Sequence, residues 1–175
     1  MRRNASKLWL FQILSLGGAL TVLATAVVAG VRGQDISPET TVTGLIVKRS
    51  PHTVEETHTR FMAILEEKGL NIFTTVDHAE NATNAELELR PTRVVLFGNP
   101  KLGTPLMQCG QSIAIDLPQK MLIWEDEAGQ TNIGYNEPQY LLDRHGLEGC
   151  EREVIEQISG ALDNLSNGAI LPEDS

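Results

Sequence analysis

The sequence has few basic residues, few aromatic residues and two cysteines. Its 175 residues include 14 Lys and Arg against 23 Asp and Glu, a formal net charge of −9. Four of the basic residues and none of the acidic ones fall within residues 1–33, so residues 34–175 hold ten basic and 23 acidic residues, a net charge of −13. This charge repels DNA and RNA, and no basic stripe interleaved with aromatic residues offsets the repulsion. We therefore expect no nucleic-acid partner.

The sequence also lacks a complete catalytic or metal-binding motif. A Ser-His-Asp order, a Gly-x-Ser-x-Gly elbow and a zinc-protease helix are not found, so hydrolytic catalysis has no support. Glu55 and His58 form one Glu-x-x-His pair, but a carboxylate di-metal site needs a second copy from another helix. His145 is interpreted as a cation at a helix C-terminus. We predict no metal and no cofactor. Enzyme activity is left open, with a non-catalytic protein as the preferred interpretation.

A basic start followed by a long uncharged run opens the chain. Arg2, Arg3 and Lys7 precede the run from residue 8 to residue 31. Residues 1–33 are predicted to be a cleaved signal peptide or, alternatively, a single-pass membrane anchor. The positive end stays in the cytoplasm in both cases, so the remaining domain is predicted to be extracytoplasmic. The chain would contact a membrane only through this segment, if it is not cleaved.

The two cysteines are far apart in sequence. Cys109 and Cys150 are predicted to form a disulfide because an exported chain enters an oxidising compartment. Such a bridge closes a loop of about 40 residues, worth roughly 4 kcal/mol before strain. A redox dithiol is more typically Cys-x-x-Cys. Two free thiols are the alternative.

The first half of the chain predicts a linker, a strand, a helix and a strand. Residues 34–40 are predicted to be a linker and residues 41–48 a strand. A capping box at Thr53 and Glu56 begins a helix that ends near Gly69. Residues 71–78, rich in Ile, Phe, Thr and Val, predict the second strand.

The second half predicts strands and short helices. The apolar run 94–97 is typical of a strand covered on both faces. Thr104 and Pro105 are expected to begin a short helix through Met107. Three strands, residues 112–117, 121–125 and 131–135, are expected to form an antiparallel meander.

Two helices and a tail are predicted to complete the chain. Asn136 is expected to cap a helix from residue 137 to residue 144, with Gly146 at its end. The last helix begins near Glu151, and residues 167–175 are predicted to be a flexible tail. The element order predicts an α+β fold with a largely antiparallel sheet and helices packed on one face, in a single domain spanning 41–166.

A spaced set of turn residues resembles a bacterial family catalogued as domain of unknown function 302. The segments that carry the resemblance are Arg90-Pro91-Thr92, Phe97-Gly98-Asn99-Pro100, Gly103-Thr104-Pro105-Leu106-Met107, Asp116-Leu117-Pro118 and Tyr135-Asn136. The resemblance implies a compact α/β domain and a homodimer, with no established substrate or catalytic residue. The export segment predicts a location in the bacterial periplasm. The plan is similar in outline to the TATA-binding-protein-like fold, but a shared fold carries no DNA function. Cys109 and Cys150 are not part of the family pattern.

Five residues are candidates for a ligand site. Asp77 and His78 fall where a strand meets a loop, and Asn99, Thr104 and Met107 follow the next strand. We expect the two segments to lie close together and form a concave site. The preferred interpretation is an extracytoplasmic binding or interaction module with an unidentified small ligand or protein partner. The alternative is a small enzyme or a metal or redox accessory protein that uses Asp77 and His78.

Overall fold

The computed structural model describes residues 39–40 and 44–172, which include a six-stranded antiparallel sheet. The strands lie in the order β1-β2-β6-β5-β4-β3, and every ladder is antiparallel. Their bounds are β1 Glu39–Thr40, β2 Leu45–Arg49, β3 Asn71–Asp77, β4 Thr92–Gly98, β5 Gln119–Glu125 and β6 Thr131–Asn136. The predicted N-terminal segment 1–33 and residues 173–175 of the predicted tail lie outside the described residues.

Within residues 44–172, five α-helices and one 3₁₀ helix connect and cover the strands. Their bounds are α1 Val54–Glu67, α2 His78–Asn84, α3 Pro100–Cys109, the 3₁₀ helix Gln111–Ile115, α4 Pro138–His145 and α5 Arg152–Ile170. The predicted α+β class is confirmed. Within residues 44–172, no helix is both long and apolar enough to span a bilayer.

The core lies between one face of the sheet and the helices α1 and α5. Alternate residues of the central strands are buried against these helices, because successive side chains of a strand point to opposite faces. The buried strand residues are Val95, Phe97, Met121, Ile123, Ile133 and Tyr135. In β4 the residues between them are only partly buried. The prediction that this strand is covered on both faces is therefore wrong.

The opposite face of the sheet carries an apolar row that crosses five strands. The row follows the register from strand to strand, since each of its members is the pairing partner of the next. Its members are Val76, Val94, Leu122, Gly134 and Val47. The homodimer implied by the sequence stays a prediction.

Two predicted elements differ in the middle of the chain. Residues 112–117 were expected to be a strand, but Gln111–Ile115 is a 3₁₀ helix, and the meander consists of β4, β5 and β6. The helix expected to begin at Thr104 begins at Pro100, with Asn99 as its N-cap and Pro105 inside it. Asn99-Pro100 offers the same pair of signals, a capping side chain and a proline at the first helical position, at the point where β4 ends.

The chain ends also differ from the prediction. Glu39 and Thr40, expected in a linker, pair with β2. The last helix continues to Ile170, and Ala169 and Ile170 are buried, so residues 167–170 belong to the domain and not to a flexible tail. Glu137, not Asn136, is the N-cap of α4, and Gly146 closes it in the left-handed conformation with φ 65°, as the sequence predicts.

A buried lysine joins the sheet to α5. The Lys48 side chain on β2 is 1% exposed, and four oxygen atoms of α5 lie within hydrogen-bond distance of its Nζ. The closest are the Asn167 Oδ1 at 2.6 Å and the Asp163 Oδ1 at 2.7 Å. Burial, followed by the nearby Asp163 carboxylate, raises the pKa of Tyr135 to about 12. The cluster fixes where α5 rests on β2 and β6.

Asp163→Ala should destabilise the domain much more than Lys48→Met. The first change leaves a buried ammonium without its counter-charge, and we expect it to lower the free energy of unfolding by about 3 kcal/mol. The second change removes the buried charge and leaves Asp163, whose side chain is 46% exposed, to be hydrated, so we expect a loss of about 1 kcal/mol. Urea denaturation measures both. Asp143→Ala on α4 is the control, and a loss as large as that of Asp163→Ala would contradict the assignment.

Candidate functional site

A cavity of about 270 Å³ lies between the end of β4, the helix α3 and the helix α5. Its walls are mostly apolar side chains from four separate segments of the chain, residues 70–73, 97–107, 114–119 and 158–165. The residues that line it are Leu70, Phe73, Phe97, Gly98, Asn99, Pro100, Leu102, Gly103, Thr104, Met107, Ala114, Leu117, Pro118, Gln119, Ile158, Ala161, Leu162 and Leu165. A concave apolar site with a few polar groups is the usual form of a small-molecule pocket.

A bulge in β3 adds an aromatic side chain to the cavity. Ile72 pairs with Phe97 and Thr74 pairs with Leu96, so Phe73 is the extra residue between them. A β-bulge re-aims the side chain of the strand that contains it. Phe73 lines the cavity while remaining 57% exposed, so it stands where the cavity meets solvent.

Three of the five candidate residues line this cavity. Asn99, Thr104 and Met107 come together there because α3 begins directly after β4. The Asn99 side chain is engaged in capping, since its Oδ1 accepts a hydrogen bond from the Lys101 amide at 3.0 Å. Gly103 also lies on this wall, and a Cβ added to it would be 3.6 Å from Leu117.

The other two candidate residues lie at the far end of β3. Asn71 pairs with Gly98 at one end of the β3–β4 ladder, whereas Asp77 pairs with Arg93 at the other. Six residues of strand separate the two ends, which is about 20 Å. The prediction that His78 and Asn99 form one site is wrong. The physical reason is the antiparallel pairing, which places the end of β3 beside the start of β4.

Asp77 is engaged in structural contacts. Its Oδ1 accepts a hydrogen bond from the Glu80 amide at 3.0 Å and so caps α2, while its Oδ2 accepts one from the Arg93 Nε at 2.7 Å. These bonds, the Glu80 amide first, lower the pKa of Asp77, although burial opposes the shift. Arg93 also pairs with Glu55. His78 is exposed at the first position of α2.

His58 adds a half-buried imidazole to this cluster. Its Nε2 is buried and has no hydrogen-bond partner among the described residues. Burial is the main cause that lowers the pKa of His58, followed by the Arg93 charge. No group of three His, Cys, Asp or Glu side chains in residues 44–172 is arranged to hold a metal ion.

A disulfide ties two walls of the cavity together. Cys109 is the last residue of α3 and Cys150 stands just before α5, and the two are bridged with their Cα atoms 6.3 Å apart. The pairing agrees with the sequence-based prediction. The bridge therefore holds the end of α3 near the beginning of α5, and both helices contribute cavity-lining residues.

Most of the cavity residues were not identified from the sequence as site residues. Four of them, Ile158, Ala161, Leu162 and Leu165, have the helical spacing of an apolar face in the last helix, but such a face is equally typical of a core helix. Phe73 could not be identified as a site residue from the sequence, because no residue pattern predicts the bulge in β3. The turn segment 98–107 was the one useful signal, since the site residues taken from it do line the cavity.

Asp77→Asn should lower stability at neutral pH and have little effect in acid. Asn preserves the N-cap, so the change removes mainly the charge that Arg93 and the Glu80 amide stabilise. Because the folded-state pKa is below the ordinary value of 3.8, the contribution is present above that value and is lost as the pH falls through the folded pKa. We expect a difference of about 1 kcal/mol in the free energy of unfolding at pH 7.

The same substitution in an Arg93→Gln background is the control for this pair. Urea denaturation of the four proteins between pH 7 and pH 2 gives the comparison. A difference that stays constant across this range would show that the carboxylate does not act through its charge. A difference that is unchanged without Arg93 would show that Arg93 is not the partner of that charge.

The chain resembles proteins of known name over part of its length. It is 44% identical over 104 residues to proteins named fluoride-specific ion channel FluC 1 from Brucella suis biovar 1 (strain 1330) and from Brucella abortus biovar 1 (strain 9-941). The match covers 59% of this chain, and 41% and 38% of those relatives. The chain thus spans about two fifths of the length of these curated relatives.

The fold matches a solved structure, and the sequence matches a family. A crystal structure of an uncharacterized conserved DUF302 protein from Bacillus stearothermophilus superposes with a TM-score of 0.63 at 18% identity, covering 72% of this chain and 98% of that one. This likeness shows the fold. The family model for the domain of unknown function DUF302 matches residues 46–165. The chain belongs to the DUF302 family.

Proposed function

We propose that this DUF302 protein is an extracytoplasmic binding module for a small uncharged apolar molecule, which it holds in the cavity beside α3. The observation that carries this proposal is the lining of the cavity, which is formed almost entirely by apolar side chains. Transfer of an apolar molecule from water to such a site is favoured by roughly 25 cal/mol for each Å² of apolar surface that is buried. Asn99, Thr104 and Gln119 supply polar atoms at the wall for orientation.

The size of the cavity limits the ligand. Its volume of about 270 Å³ is just below the roughly 300–1,000 Å³ typical of pockets for drug-sized molecules. An engineered apolar cavity of about 150 Å³ holds benzene. A ligand with one or two rings, or a short aliphatic chain, is therefore the class that fits.

The charge of the chain limits the ligand further. The net charge of −13 for residues 34–175 opposes the approach of an anion. The apolar lining gives an ion little compensation for its lost hydration. Fluoride, which appears in the name of the Brucella relatives, is for these reasons not the ligand that we propose for this cavity.

One feature of the sequence supports an extracytoplasmic location, and the name of the relatives supports a place beside a membrane. Residues 1–33 have the basic start and long uncharged run of an export signal or membrane anchor. The Brucella relatives carry the matched stretch as about two fifths of chains that are named as ion channels. A domain that works beside a membrane fits both features.

Gly103→Leu should abolish ligand binding without unfolding the protein. The added side chain enters the cavity from α3, and a Cβ at this position makes only an ordinary contact, 3.6 Å from Leu117. Leu also has a higher helix propensity than Gly by roughly 0.7 kcal/mol. Fluorescence titration with 1-naphthol, an uncharged two-ring probe, measures binding, and we expect the affinity to fall at least about tenfold.

Gly160→Leu is the matched control. It makes the same change on the helix α5 at an exposed position where an added Cβ meets nothing within 4 Å. We expect it to bind the probe as the unchanged protein does. Equal affinity in all three proteins, or a loss in both variants, would contradict the assignment of the cavity.

A reporter fused after Ser175 should be active outside the cytoplasm. Alkaline phosphatase folds into an active enzyme only after export, because its disulfides need an oxidising compartment. Fractionation then separates a released domain from one that stays with the membrane. Loss of activity when Arg2, Arg3 and Lys7 are changed to Glu is expected, since these residues orient the segment. A full-length fusion protein that is produced but inactive, and that stays in the cytoplasmic fraction, would contradict the proposed location.

A further inference from the structure

Ser112, His145 and Asp116 form a hydrogen-bonded chain at the surface near the disulfide. The Ser112 Oγ is 3.1 Å from the His145 Nδ1, and the His145 Nε2 is 2.6 Å from the Asp116 Oδ2. Ser112 lies on the 3₁₀ helix, Asp116 directly follows this helix, and His145 is the last residue of α4. His145 was interpreted from the sequence as a helix-terminal cation, but the structure shows its ring between a hydroxyl and a carboxylate.

The two contacts of the imidazole determine the direction of hydrogen bonding. An ionised carboxylate only accepts hydrogen bonds, so the His145 Nε2 donates to Asp116. In the neutral ring the Nδ1 then carries a lone pair, and it accepts the hydroxyl hydrogen of Ser112. This is the arrangement in which a histidine acts as a general base toward a serine while a carboxylate holds its tautomer. In serine proteases the Nε2 faces the serine and the Nδ1 faces the aspartate, so the two ring nitrogens of His145 have exchanged these roles.

The three hydrogen-bonded residues differ in how far their side chains are exposed to solvent. The side chains of His145 and Asp116 are 8% and 12% exposed, whereas Ser112 is exposed to solvent. An ion pair also fixes the carboxylate, since the Arg144 Nη1 is 3.0 Å from the Asp116 Oδ1. The Lys120 Nζ donates to the Asp116 carbonyl oxygen at 2.8 Å. The base is therefore shielded and held in place, and the hydroxyl is open to a substrate.

An apolar side chain stands beside the exposed hydroxyl. Residues three apart in a 3₁₀ helix share a face, which puts Ile115 next to Ser112. Ile115 is 73% exposed. An apolar group of a substrate would have a surface to contact within one turn of the nucleophile.

We propose that Ser112 is the nucleophile of an acyl-transfer site that cleaves small esters with an apolar acyl group. The Ser112 Oγ attacks the ester carbonyl carbon while its proton moves to the His145 Nδ1. The carbon–oxygen bond to the alcohol then breaks, and the imidazolium returns the proton to the departing alcohol. Water repeats the sequence on the acyl-serine, with His145 as the base, and releases the carboxylic acid and the free hydroxyl.

The motif around Ser112 departs by one residue from a nucleophile elbow. Residues 110–114 read Gly-Gln-Ser-Ile-Ala, with Ala114 where the elbow has its last glycine, and the chain order Ser112, Asp116, His145 is that of α/β hydrolases. Ser112 follows a helix and not a strand, so the fold is different. The proposal depends on the hydrogen-bond geometry and is independent of the cavity ligand.

Covalent labelling of the full chain with a fluorophosphonate tests the proposal. We expect one label per chain, located at Ser112 by peptide mass spectrometry, and release of p-nitrophenol from p-nitrophenyl butyrate. Ser112→Ala should remove both signals. His145→Gln should lower the second-order rate constant of labelling by about 100-fold or more, because general-base catalysis typically contributes 10²–10⁴-fold.

The controls separate catalysis from structure. Ser159→Ala makes the same change at a partly buried serine whose hydroxyl bonds to the Ile155 carbonyl of its own helix, and it should label normally. Far-ultraviolet circular dichroism and melting curves show whether His145→Gln is folded. No label at Ser112, or a rate unchanged by His145→Gln in folded protein, would overturn the proposal.

Discussion

The Lys48 ammonium is the interaction on which the arrangement of the helical layer depends. Four oxygen atoms of α5 surround it, and the lysine itself stands on β2. A buried charge has a desolvation cost of several kcal/mol that only well-placed partners offset, so α5 has one favourable position along the sheet. That position sets the packing of α5 against α1 and brings Ile158, Ala161 and Leu165 to the cavity. The disulfide fixes the same helix near its beginning.

The parts of the fold that follow from the sequence are those where local signals and burial agree. The capping residue Thr53, the left-handed Gly146 and the apolar face of α5 all specify local structure, and the elements lie where they predict. The prediction of a strand for residues 112–117 was wrong because the alternation of Ile113 and Ile115 is typical of a strand period of two. The three-residue turn of a 3₁₀ helix instead buries Ile113 and exposes Ile115. A short apolar run does not distinguish these two periods.

Three of the five candidate residues share one site and two do not, because strand pairing and not residue composition decides which of them meet. Asn99, Thr104 and Met107 are close in sequence, so their shared location follows from one helix. To predict the position of Asp77, one must know which strand pairs with β3 and in which direction. The antiparallel pairing with β4 places Asp77 beside Arg93. The cavity walls are harder still to predict from the sequence, because they combine segments that are distant along the chain with a β-bulge. Local patterns contain none of that information.

The 3₁₀ helix and the turn after it connect the two surfaces to which we assign chemistry. With three residues per turn, Ala114 and Leu117 share the side that lines the cavity, while Ser112 and Ile115 share an exposed side. Ile113 and Asp116 occupy the third side, where Ile113 enters the core and Asp116 holds His145. One short segment thus supplies a cavity wall, a core contact and an ion pair. A regular strand has only two sides, so the strand that the sequence suggested could not have met all three environments.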